Sequence, residues 1–70
     1  MKRSEVLKKI REAAKTAGVP YAERELTRHT GITVGSVSTT VARHTEIPDR
    51  FAETIFRQLE PALGKGWWRK

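Results

Sequence analysis

Two histidines stand fifteen residues apart in the sequence, and each directly follows an arginine: Arg28-His29 and Arg43-His44. Imidazole, with an ordinary pKa of about 6.5, can accept a proton and give it back near neutrality. A guanidinium beside it can bind phosphate oxygens. His29 opens a β-branched run and is the first candidate for general base or acid. His44 is open to two readings, a second proton-transfer group or a side chain that hydrogen-bonds the chain entering the next helix. Neighbouring residues on a strand point to opposite faces, so Arg28 reaches the same phosphate as His29 only from a turn. Arg43 is a second candidate phosphate contact. Glu46 is expected to orient or cap rather than react. No spacing of His, Asp and Glu makes a metal site, so neither a metal nor a cofactor is expected.

The charge balance says what such groups would act on. Fourteen Lys and Arg against eight Asp and Glu leave a formal charge of +6 on 70 residues. A polyanion is the natural partner class. Lys8, Lys9, Arg11 and Lys15 share the wet side of the first helix, where they could track RNA phosphates across an A-form groove or serve as a solvated face. At the other end Lys65, Arg69 and Lys70 surround Trp67-Trp68. These rings could stack bases, but at least one is expected to close the core from its C-terminal end.

Seventy residues form a single domain, 1–70, too small to enclose a large cofactor. Without Cys the chain has no disulfide framework and no thiolate zinc site, and a reducing cytoplasm is the expected location. No apolar run approaches the length of a membrane span, and the charged, periodic start is unlike a signal peptide. No membrane partner is expected.

The elements that must hold the histidines follow from local pattern. Val6, Leu7, Ile10, Ala13, Ala14 and Ala17 recur at helical spacing, with Ser4 available as cap and Gly18 as stop, which predicts a helix over 4–17. Tyr21 to Thr27 suits an edge strand poorly but tolerably. The stretch from Thr30 to Val41 decides the fold. Read as a helix-turn-helix, 23–41 would put Gly31 at the turn and residues 33–40 in a recognition helix, as in a small DNA-binding repressor. Read as strands, Thr30, Ile32 and Val34 lead into a Gly35-Ser36 turn and return through Val37, Thr39 and Val41. The stretch is dominated by Thr, Val and Ile, which fit a pleated surface and lose rotamer freedom in a helix, so the hairpin is favoured. Pro48 and Asp49 begin a second helix, whose apolar stripe is Phe51, Ala52, Ile55, Phe56 and Leu59. Pro61 ends it near Glu60, or restarts it as one turn closing at Gly64. Helix, three strands and helix predict a two-layer α+β domain: an antiparallel sheet with both helices on one face.

Taken in order, several segments resemble the actinobacterial and phage branch of the HicA family of toxin ribonucleases. They are Ser4 to Lys15, Ala17-Gly18-Val19, the Arg-His that opens the hairpin, Arg43-His44-Thr45-Glu46-Ile47 and Leu63-Gly64-Lys65-Gly66-Trp67-Trp68-Arg69. The resemblance spans nearly the whole chain. It implies a fold like a double-stranded RNA-binding domain and cleavage of mRNA without a metal. It also implies one catalytic histidine at the start of the second strand, falling on His29, and neutralisation by a HicB-like antitoxin. The family usually carries Gly before that histidine, where this chain has Leu26-Thr27-Arg28, and commonly Pro before the second Arg-His, where it has Ala42. Metal-independent cleavage would use the RNA's own 2′-hydroxyl as nucleophile and ask the protein for a proton acceptor, a proton donor and positive charge. A non-catalytic RNA-binding domain is the remaining alternative.

Overall fold

The computed structural model describes residues 1–69; Lys70, counted in the C-terminal basic cluster, lies outside the described residues. The chain runs α1 (Arg3–Ala17), β1 (Tyr21–Glu25), β2 (His29–Val34), β3 (Val37–Ala42), α2 (Asp49–Gln58), a single turn α3 (Glu60–Leu63) and a 3-10 turn at Trp67–Arg69. The three strands form one antiparallel sheet in the order β1-β2-β3. This is the expected α+β arrangement. Residues 33–40, needed as a recognition helix by the repressor alternative, instead belong to β2, its turn and β3, so that alternative is overturned.

The hairpin forms where the β-branched run predicts it. Val34 pairs with Val37 across Gly35-Ser36. Gly35 takes φ +61° and, among the described residues, only glycines have a positive φ, so one glycine supplies the reversed twist that a two-residue hairpin turn requires. Alternation then sorts the side chains. Thr30, Ile32 and Val34 of β2 and Thr39 and Val41 of β3 are buried, whereas His29 and Thr33 of β2 and Ser38 and Thr40 of β3 are exposed. The buried face meets Val6, Leu7, Ile10 and Ala14 of α1 and Ala52, Ile55 and Phe56 of α2 in one core. Both helices therefore cover the same face of the sheet.

The helix ends differ in detail from local expectation. Gly18 closes α1 in the left-handed region with φ +72°. At the other end the cap is Lys2, not Ser4: the Lys2 N–H donates to Glu5 Oε1 at 3.2 Å. The reason is non-local. Lys2 bridges to Glu46, Ile47 N donates to Met1 O at 2.7 Å and Arg3 N donates to Thr45 O at 2.8 Å, which pins the first residues and starts the helix early. Pro48 is the N-cap of α2 and Asp49 begins its first turn. After Leu59 the chain restarts as α3 with Pro61 in its first turn and Gly64 as C-cap. Trp67 is buried, donates Nε1–H to Phe56 O at 2.8 Å and meets the Phe56 ring edge-on at 5.1 Å, so it closes the core. Among the described residues no helix is long and apolar enough to cross a membrane.

Candidate active site

An open groove of about 740 Å³ lies where the β3 end of the sheet meets α2. His29 and Ala42, a directly paired couple at the end of the β2–β3 ladder, form one wall with Thr40. His44 and Glu46 follow on the chain leaving β3, and Phe51, Thr54 and Gln58 of α2 form the facing wall. Fifteen residues of chain thus separate two histidines that the hairpin returns to one end of the sheet and one groove.

The segment before His29 is a tight turn. Glu25 still pairs with Thr30, and Leu26 N donates to His29 O at 2.8 Å, leaving Thr27 and Arg28 as the two turn residues. Neither has a positive φ, so this turn has no need of a glycine. Arg28 lies outside the ladder and exposed, the condition under which it can share a phosphate with His29.

Arg43 is differently placed. Its guanidinium pairs with Glu25 Oε2 at 2.6 Å and also donates to the Leu26 carbonyl. It braces the turn from behind, and its charge is largely met by the carboxylate. A residue that sequence reasoning missed completes this brace. Arg3 donates Nε–H to Ala42 O at 3.3 Å and an Nη hydrogen to the Thr30 hydroxyl, which in turn donates to Glu25 Oε1 at 3.1 Å. Arg3 lies one helical step from Leu7, Ile10 and Ala14 on the apolar stripe of α1, a signal that could have marked it as core-facing.

His44 is exposed, and the chain entering α2 is held by other groups. The Met1 amino group donates to Ile47 O at 2.8 Å and to Asp49 Oδ1 at 3.1 Å, and lies 3.3 Å from Glu46 Oε2. These two carboxylates, Asp49 foremost, hold the amino group's pKa above its ordinary 8.0, against partial desolvation. Glu46 therefore anchors the N-terminus, in keeping with an orienting role.

The basic face of α1 does not line the groove. Lys8 and Lys15 are exposed, Lys9 is half-buried, and Arg11 makes a 3.8 Å ion pair with Glu23 of β1. Glu23 also accepts from the Tyr21 hydroxyl at 2.6 Å; burial first, then that carboxylate, raises the Tyr21 pKa. Phe51 departs from expectation as well. Placed in the apolar stripe of α2 by spacing, it is 52% exposed, because it sits at the margin of a stripe centred on Ile55 and Leu59 and overhangs the groove. Among the described residues no three His, Asp or Glu side chains gather into a group that could hold a metal ion.

Compared with family models, with curated proteins and with solved structures, the chain matches none.

Proposed function

We propose that this protein is a metal-independent endoribonuclease acting on mRNA, a toxin of the HicA type held in check by a HicB-like antitoxin. The observation that carries the reading is the meeting of His29 and His44 in one open groove, beside the exposed turn residue Arg28. The groove is open to solvent, and the charge of +6 draws a polyanion to the molecule.

The chemistry needs two proton transfers. One imidazole takes the proton of the ribose 2′-hydroxyl as its oxygen attacks the adjacent phosphorus. The P–O5′ bond breaks, and the other imidazole, as imidazolium, gives its proton to the departing 5′-oxygen. A 2′,3′-cyclic phosphate and a 5′-hydroxyl result. Arg28 stabilises the charge that builds on the non-bridging oxygens. His29 is the group on which the proposal stands; His44 is the partner that the groove offers it.

Purified protein, a labelled RNA and its 2′-deoxy counterpart test this in the presence of a chelator. The RNA is expected to be cut and the deoxy strand left whole. His29→Ala is expected to lower the rate roughly 10²- to 10⁴-fold, with stability changed by no more than about 0.5 kcal/mol because the side chain is exposed. Cleavage at the wild-type rate by folded His29→Ala would overturn the proposal. In cells, growth and total mRNA should fall together on induction and recover with the variant.

A further inference from the structure

The wall of the groove facing the histidines carries three residues that the proton chemistry does not use. Phe51, Thr54 and Gln58 lie on one side of α2 and all line the groove. Phe51 leaves 52% of its surface exposed, and that exposed part lines the groove. The Arg50 guanidinium lies over the Phe51 ring, 5.2 Å from its centroid, holding its orientation from one side. Gln58 is oriented too. Its Oε1 accepts the hydroxyl proton of the buried Thr39, which orients the amide and leaves both Nε2 hydrogens and one Oε1 lone pair free. Thr54 spends its proton on Arg50 O at 2.9 Å. Phe51 and Gln58 are seven helical steps apart, about 10.5 Å along the axis of α2.

We infer that Phe51 is a platform on which one nucleobase of the RNA stacks, and that the Gln58 amide nitrogen meets the edge of that base. The inference rests on the ribonuclease reading and adds to it a determinant of base preference. A π-face stacks with any base. The edge contact discriminates through the Nε2 hydrogens, since Thr39 already draws on the Gln58 carbonyl: they suit the O4 acceptor of uracil and not the amino group that cytosine carries at the same place. Arg50 covers one face of the ring, so the base stacks on the face that Arg50 leaves open.

The test uses three 2′-O-methyl hexanucleotides, which cannot be cleaved: oligo-uridine, oligo-cytidine and an abasic strand with the same backbone and charge. Binding is read by fluorescence anisotropy at one salt concentration. Wild type should hold the uridine strand roughly 5- to 150-fold more tightly than the abasic one, and more tightly than the cytidine strand. Phe51→Ala should bring uridine binding down to the abasic level while leaving abasic binding unchanged, and Phe51→Tyr should retain most of the difference. Gln58→Glu, which accepts where glutamine donates, should reverse the preference toward cytidine. Equal uridine binding by wild type and Phe51→Ala overturns the platform, as does an equal loss on the abasic strand. Equal binding of the uridine and cytidine strands by wild type overturns the role of Gln58. Cleavage of unmodified RNA is measured alongside. Cleavage without base-dependent binding sinks the platform alone, whereas base-dependent binding by a folded protein that cuts nothing sinks the ribonuclease reading alone.

Discussion

Arg3→Met is the change that most directly tests how the groove end of the sheet is held together. Methionine keeps an unbranched stem of similar length and removes every side-chain donor. Two hydrogen bonds disappear, those to Ala42 O and to the Thr30 hydroxyl, while Thr30 keeps Glu25 as its acceptor. A hydrogen bond from a charged group contributes about 1.5–3 kcal/mol net when buried; Arg3 is half-buried and its bond to Ala42 is long, so removing both is placed at about 1–3 kcal/mol. That is a large share of the roughly 4–10 kcal/mol a domain of this length possesses. In a thermal melt followed by far-UV circular dichroism, each kcal/mol lowers the midpoint by roughly 4–8 °C. The partner change is Thr30→Val, nearly isosteric at a fully buried site. Because the two residues share one bond, the double variant should fall short of the sum of the singles by roughly 0.5–3 kcal/mol. Thr30 faces the core and His29 faces out, so RNA cleavage per folded molecule should stay within a few fold at low temperature. A midpoint shift below roughly 2 °C for Arg3→Met, or strict additivity with Thr30→Val, would refute the brace.

Two further outcomes follow from charge. Replacing Lys8, Lys9 and Arg11 by Gln should flatten the log-log salt dependence of RNA binding by roughly 0.7 to 0.9 for each phosphate that is no longer neutralised; because Arg11 is shared with Glu23, reverting it alone should restore the least. An unchanged slope would return this face to plain solvation. The Met1 amino group has a folded pKa above its unfolded 8.0, so its contribution to stability is complete below pH 8 and is lost as pH rises through the folded value. Thermal midpoints measured from pH 7 upward should therefore decline above pH 8, and Glu46→Gln with Asp49→Asn should flatten that decline; an equally steep decline in the double variant would count against the anchor.

Much of the architecture is readable from local chemistry. The β-branched run and Gly35-Ser36 place the hairpin because strand preference and turn preference agree there, and Gly18 and Pro61 mark helix boundaries for reasons confined to their own backbones. β1 is harder to read, since four of its five residues are exposed on an edge strand and no apolar alternation announces them. The start of α1 falls ahead of the cap that local pattern offers at Ser4, because Lys2 is set by Glu46, forty-four residues away. In the candidate site the histidines are conspicuous as residue types, and the hairpin alone suffices to bring them near each other. Arg3 and Phe51 are hidden for opposite reasons. One is a charge lying on an apolar stripe, the other an apolar ring at the stripe's margin, and in each case the sheet edge, invisible in one dimension, decides which way the side chain faces.

The two tryptophans carry an optical consequence. Trp67 and Trp68 stand 5.9 Å apart with their rings nearly perpendicular, and both lie against Phe56. All indole absorption in the molecule therefore arises from one spot, where the C-terminal turn docks on α2, and rings this close couple as an exciton pair. Indole emission, excited selectively over Tyr21, will report that docking and not the sheet, which contains no tryptophan. Its melting curve coincides with one taken on the sheet only if the whole domain unfolds as a unit, so two spectrometers suffice to ask whether the lid of the core lets go before the strands do.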